Sequence, residues 1–156
     1  AGLASFAATL PVELPSGWFV TATAREDLTG NTSEFAACLL GQTGLELAID
    51  PLVRGQVSNW SVTEAQPGET VYFLYSLAGT GAGPSPNKLG GLGLDLLPPL
   101  TIAGQAVANA GGAATLAIPV PSGAPLVTVH GQAVARRGLG GVDSVKSAAV
   151  SSLIQP

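Results

Sequence analysis

The sequence predicts an all-β sandwich of about ten strands, and three observations carry that expectation. Twenty-one glycines and twelve prolines punctuate the 156 residues every few positions. Between them, apolar and polar side chains alternate with a period of two, the pattern of a strand with one face on a core. Stretches with the 3.6-residue apolar repeat of a helix are nearly absent. Many short strands separated by turn signals fit two packed sheets.

The first strand is expected over residues 5–14, where Phe6, Ala8, Leu10, Val12 and Leu14 share one face and Ser5, Ala7, Thr9, Pro11 and Glu13 the other. Pro11 has no N–H to give to a ladder, which assigns this strand to an edge or a bulge. Pro15-Ser-Gly17 turns the chain into a second strand, 18–25, in which Trp18, Val20, Ala22 and Ala24 oppose Phe19, Thr21 and Thr23. A polar loop, 26–31, precedes a third strand, 32–40. After the glycine-rich junction 41–44, strands are expected over 45–49 and 57–64, with Trp60 and Val62 on a common face. Gln66-Pro-Gly-Glu69 places proline and glycine where a type II turn needs them and leads into 70–77, the most aromatic strand. The Gly/Pro/Ser-rich stretch 78–91 is long for a loop of a compact domain and reads as exposed, mobile or interactive. Segments 92–97, 101–108, 113–120, 126–135 and 144–154 complete the strands, with a hairpin turn at 109–112.

Charge is the unusual feature of the composition. Hydrophobic residues make up 46% of the chain, enough for a core, but only 10% are Asp, Glu, Lys or Arg, where a soluble domain has about 25%. The surface is therefore built from Ser, Thr, Gly, Gln and small apolar side chains, which suits a protein packed against copies of itself or held in a wall. Ten acids against six bases, with Arg136–Arg137 the nearest approach to a basic run, leave no positive footprint for nucleic acid. Asp95 and the prolines interrupt the longest apolar candidate for a membrane span. A start at Ala1 and the absence of methionine fit a mature chain left after signal-peptide cleavage or processing of a larger precursor, and the chain is expected outside the cell or on its surface.

Part of the chain repeats. Ala8-Thr-Leu-Pro-Val-Glu-Leu-Pro-Ser-Gly17 resembles Ala114-Thr-Leu-Ala-Ile-Pro-Val-Pro-Ser-Gly123. Each copy is followed by a strand ending in Ala-Arg (Ala24-Arg25, Ala135-Arg136) and then by a double alanine (Ala36-Ala37, Ala148-Ala149). On this reading 1–41 holds the last three strands of a module whose complete copy occupies 42–156; chance likeness among low-complexity strands is the competing explanation.

Phe19-Val-Thr-Ala-Thr-Ala24 followed by Gly30-Asn-Thr-Ser-Glu-Phe35 resembles the closing hairpin of immunoglobulin-like repeats in very large, multimodular bacterial surface proteins. The loop Arg25-Glu-Asp-Leu28 is one residue longer than the usual form. The second part is similar to another repeat of the same proteins through Pro67-Gly-Glu-Thr-Val-Tyr72, Tyr75-Ser-Leu77 and Gly131-Gln-Ala133. The resemblance implies an immunoglobulin-like β-sandwich, secretion and a structural or adhesive role, with no catalysis and no active-site residues.

No residue constellation points to an enzyme. His130 is the only histidine; alternation puts it on a face with Thr128 and Gln132, opposite Val127 and Val129, and no Gly-x-Ser-x-Gly elbow accompanies it. One histidine and one cysteine, Cys38, do not make a zinc set, and Cys38 has no internal disulfide partner, which leaves a small apolar role or an intermolecular bond. The stretches 79–83 and 89–93 are glycine-rich, but neither leads into Lys-Ser/Thr or an amphipathic helix, so they read as loops and not phosphate cradles. Glu26, Asp27, Asn31 and Glu34 gather in one hairpin loop that offers oxygens for calcium, or forms a solvated turn. Asn31 and Asn59 head glycosylation-acceptor tripeptides. Lys146 reads as a surface lysine, the alternative being the Lys–Asn cross-link of some immunoglobulin-like surface domains.

The truncated repeat directs the functional expectation. Three strands without sandwich partners expose an apolar face and unpaired edges. Either these strands complete the sandwich of their own chain, or, as preferred here, the face of Phe6, Ala8, Leu10, Val12 and Leu14 lies at a subunit interface, where 5–14 of one chain complements the next and builds a homopolymer. The alternative is a monomeric stalk or adhesion module that binds a surface glycan or another ligand through Trp18, Trp60, Tyr72 or Tyr75.

Overall fold

The computed structural model describes residues 44–156 and, ahead of them, the short strands β1 (Phe19–Val20) and β2 (Leu39–Leu40). The chain divides into two units, Ala1–Thr43 and Gly44–Pro156. In the first, β1 and β2 run antiparallel, with Phe19 opposite Leu40.

The second unit is all-β, with two 3-10 turns (Asn87–Leu89 and Leu139–Gly141) and no α-helix among the described residues. Its strands are β3 (Glu46–Ile49), β4 (Leu52–Val53), β5 (Val57–Thr63), β6 (Thr70–Ser76), β7 (Thr101–Val107), β8 (Ala114–Pro119), β9 (Thr128–Ala135), β10 (Val145–Lys146) and β11 (Val150–Gln155). They form a sheet in the order β3-β5-β8 and a larger one in the order β4-β11-β9-β6-β7, with β10 also on β9. All neighbours are antiparallel except β4 and β11.

Alternation accounts for the core between the sheets. In β5, Ser58, Trp60 and Val62 are buried while Val57, Asn59 and Thr63 are exposed; in β6, Val71 and Phe73 turn inward. They meet Leu47, Leu52, Val129, Ala133 and Ile154 in one continuous cluster. Full burial of a side chain such as Phe73 contributes about 1.5–3 kcal/mol. Gly131 is required here by space: a Cβ would lie 2.6 Å from Ile49 Cδ1 and 2.8 Å from Trp60 Cζ3.

Four features depart from the sequence expectation. The 109–112 turn, in which Asn109 Oδ1 accepts from the N–H groups of Gly111 and Ala113, carries the chain from one sheet to the other and does not close a hairpin. The two-residue β4 pairs in parallel with the end of β11, Ile154 opposite Leu52. The expected strand 144–154 is broken into β10 and β11, because Ser147 Oγ takes the Ala133 N–H at 3.0 Å in place of a ladder carbonyl. Finally, 92–97 is not a strand of either sheet.

That segment belongs to a third layer. Its backbone pairs with 79–84 through Gly81 N–H to Asp95 O, Gly83 N–H to Leu94 O, Leu94 N–H to Pro84 O and Leu97 N–H to Gly79 O, all within 3.0 Å. The expected free loop is thus a folded-back ribbon laid on the outer face of the larger sheet. β9 is consequently buried on both faces: Val129, Ala133 and Ala135 enter the main core, while Gln132 and Val134 point the other way. Val134, Leu94 and Leu96 are buried yet lie outside the main core cluster.

Polar side chains fasten this layer. Gln132, fully buried, accepts from Asp95 N–H at 3.0 Å and donates from Nε2 to Asp95 Oδ2 and to Ser147 O, both at 2.8 Å. Lys146 Nζ donates to the other Asp95 oxygen at 2.5 Å and to Gly93 O at 2.7 Å. Ser76 Oγ donates to Leu97 O at 2.5 Å and accepts from Ala78 N–H. At the far tip, Gly90 sits against the 138–143 loop so closely that a Cβ would fall 2.5 Å from Gly141 O.

Candidate functional site: the open side of the sandwich

β7 and β8 are consecutive in the chain but terminate different sheets, so the sandwich is open along the side they share. Among the described residues each has one paired neighbour, β6 and β5 respectively, which leaves the other edge without a ladder partner there. β7 is the less guarded. It runs for seven residues, Thr-Ile-Ala-Gly-Gln-Ala-Val, with no charge and no proline. Its Ile102 and Val107 are each 64% exposed. The other terminal strands carry deterrents to pairing: β8 ends in Pro119, β3 has four residues and begins with Glu46, and β4 has two residues.

Between the sheets lies an apolar cleft of about 210 Å³. It reaches from Trp60 in the interior to Ala103 on β7 and Ile118 on β8, with Tyr75, Leu77 and Pro121 along its walls. Leu77 is exposed at its mouth. Trp60 is buried to 1% exposure, and its Nε1–H has no hydrogen-bond partner among the described residues. Apolar walls flanked by two strand edges that are unpaired among the described residues are suited to receiving the alternate side chains of an added strand.

Two ion pairs lie apart from this side. Arg137 grips Glu69 with Nε and Nη2, each at 2.7 Å, and both side chains are about nine-tenths buried. Burial pushes the Glu69 carboxyl up, but the Arg137 hydrogen bond, the Gln66 N–H and the Arg137 charge outweigh it and hold the group below the usual glutamate range. The second is Lys146–Asp95. Lys146 is therefore not a free surface lysine; its partner is an aspartate carboxylate and not an asparagine.

The remaining expected sites fall as follows. Phe6, Ala8, Leu10, Val12 and Leu14, the calcium set Glu26, Asp27, Asn31 and Glu34, and also Trp18 and Cys38 lie outside the described residues. Among the described residues, no three His, Cys, Asp or Glu side chains gather as a metal set. His130 Nδ1 is 2.8 Å from Ser151 Oγ, its cross-strand partner in the β9–β11 ladder, and neither lines the Trp60 cleft. Trp60 belongs to the core and does not face a glycan; Tyr75 packs against that core, and Tyr72 is half-buried on the outer face. No helix among the described residues is long and apolar enough to cross a membrane. Gln132, Asp95 and Ser147 were invisible as a group in the sequence, since they are 37 and 15 positions apart and alternation assigned Gln132 to solvent.

No protein-family model matches the chain, and no curated protein matches it.

Proposed function

We propose that this chain is an extracellular structural subunit that joins copies of itself head-to-tail, residues 5–14 of one copy adding as a strand to β7 of the next. The single observation that carries the reading is the β7 edge: seven residues long, uncharged, free of proline and bordered by an apolar cleft. Segment 5–14 has the matching character, with Phe6, Ala8, Leu10, Val12 and Leu14 on one face. Pro11 then constrains the register. Its missing N–H must face away from β7, so the even-numbered residues, which are the apolar ones, make the ladder bonds. Burying Phe6, Leu10, Val12 and Leu14 is worth roughly 1.5–3 kcal/mol each, and the ladder bonds to β7 add to that against the ordering of the strand. A contact between two different surfaces that does not close extends into a filament. The scarcity of charge and the immunoglobulin-like resemblance agree with this role, and the strand order of the second unit supports an immunoglobulin-like sandwich.

One observation favours the stalk alternative. The chain enters the second unit beside the Thr63 end of β5, where Glu46 pairs with Thr63, and leaves it at the opposite end, where Gln155 pairs with Val53. Modules entered and left at opposite ends stack in series. Electron microscopy of the full chain, of a chain lacking 1–14 and of Val107→Lys separates the two. Fibres in the full chain alone support strand donation; Val107 is exposed, so its replacement guards the edge without disturbing the core. Monodisperse monomers in all three would leave the stalk reading.

A further inference from the structure

A second groove, of about 600 Å³, lies on the other side of the larger sheet, between its outer face and the ribbon. Leu74 of β6, Val134 of β9, Ile102 of β7 and Leu94 of the ribbon form its apolar lining, and Lys88 and Arg136 bring positive charge to it. At Tyr72 and Arg136, which line both, it meets a polar hollow of about 490 Å³ bounded by the 66–70 turn and Arg137.

We propose that this groove binds an aliphatic carboxylic acid, with the hydrocarbon along Leu74, Leu94, Ile102 and Val134 and the carboxylate at Arg136, Tyr72 and Lys88. The charges decide the head group. Of the cations in the second unit, Arg137 is matched by Glu69, Lys146 by Asp95, and Arg54 is held by the Ala124 carbonyl. Lys88 and Arg136 have no carboxylate partner among the described residues, and both line the same groove, which has no acid in its lining. In a chain of net charge −4, this local surplus is the exception. The one acid of the adjoining hollow, Glu69, is already neutralised by Arg137. Arginine's planar fork matches a carboxylate, and the Tyr72 hydroxyl adds a donor.

The lining decides the body. A glycan would bring hydroxyls to a wall of leucine, isoleucine and valine that offers them few partners, which is costly. A hydrocarbon loses nothing there and covers Ile102, now 64% exposed. The groove also falls in the size range of small-molecule sites, about 300–1,000 Å³. Its roof is fixed and not a loose loop, since Lys146, Gln132 and Ser76 fasten the ribbon to the sheet.

The test is calorimetric and NMR titration of the full chain with monomeric dodecanoate, using dodecanol and dodecylammonium as comparators. The expected result is saturable one-to-one uptake of dodecanoate, with shifts at Leu74, Leu94 and Val134. Affinity should fall about tenfold or more in Arg136→Gln/Lys88→Gln. Both residues are exposed, so that variant retains the fold. Absence of saturable binding would overturn the proposal. So would equal affinity for dodecylammonium, undiminished affinity in the double variant, or shifts confined to the Trp60 cleft. Attachment to anionic phospholipid vesicles without uptake of dodecanoate would also overturn it, and would assign the two cations to a lipid surface. None of these outcomes depends on whether the chain forms filaments.

Discussion

Replacing Gln132 by leucine tests whether the third layer is held by hydrogen bonds or only by its apolar contacts. Gln132 is fully buried, so leucine occupies similar space and keeps the packing, but it removes all three bonds of the carboxamide. The two neutral bonds are worth roughly 1 kcal/mol each, and the bond to a carboxylate roughly 1.5–3 kcal/mol. Asp95 is 44% exposed, which places that bond at the low end. The change also leaves the Ser147 carbonyl without its Gln132 donor in a buried position, while leucine regains part of the loss through apolar burial. The net expectation is a loss of about 3 kcal/mol in urea unfolding. The effect should be local before it is global. Exchange of the Gly81, Gly83, Leu94 and Leu97 amides, which hold the ribbon's two arms together, should accelerate in native buffer more than that of the β5 and β6 amides. A loss under about 1 kcal/mol with unchanged exchange at those four amides would refute the argument and assign the layer to Leu94, Leu96 and Val134 alone.

Gly131→Ala should cost about 1–3 kcal/mol by overpacking, since the new methyl would meet Ile49 Cδ1 and the Trp60 ring inside contact distance; thermal unfolding reads it, and a stability equal to wild type would show that the core can yield there. Glu69 has a lowered folded-state carboxyl, so its contribution is present above the unfolded value of about 4.3 and is lost as pH falls through the lower folded value. Stability measured from pH 7 to pH 3 should therefore fall less steeply in Glu69→Gln, from a pH 7 value about 2 kcal/mol lower, than in wild type. A Cβ at Gly93 would lie 3.4 Å from Ser85 Oγ, so Ser85→Cys/Gly93→Cys should close a disulfide across the ribbon, and free thiols persisting under oxidation would show that the two arms do not stand as described.

The main core was legible in part: Trp60 and Val62, expected on a common face, are both buried, and in β6 the buried Val71 and Phe73 repeat the same period of two. The bounds of β3, β5 and β6 agree with the expected strands to within a residue, because turns with defined chemistry, such as Pro67-Gly68, delimit them. Segment 92–97 was expected as a strand, but a strand pattern carries no information on which surface the segment will cover. It went to the outside of the larger sheet. That in turn buried Gln132, a residue any two-layer reading assigns to water. The open side was illegible for a similar reason. The turn at 109–112 has hairpin chemistry, and only the crossing from one sheet to the other makes β7 and β8 two edges where a hairpin would have made one pair.

These two departures are linked through the larger sheet. With the core on its inner face and the ribbon on much of its outer face, β6 and β9 have their ladders complete and both surfaces occupied, so further pairing has to come through an edge. On that sheet the edges are β4, two residues long, and β7, seven residues long. Ladder bonds accumulate with length, so β7 is where an added strand gains most. The groove beneath the ribbon opens on the same strand through Ile102. Occupation of the groove and addition of a strand therefore share a border residue, and Ile102→Ser should weaken dodecanoate uptake while leaving the β7 backbone available for pairing. If strand addition failed in Ile102→Ser as completely as in Val107→Lys, side-chain contact at the edge, and not the free ladder, would be what draws the strand.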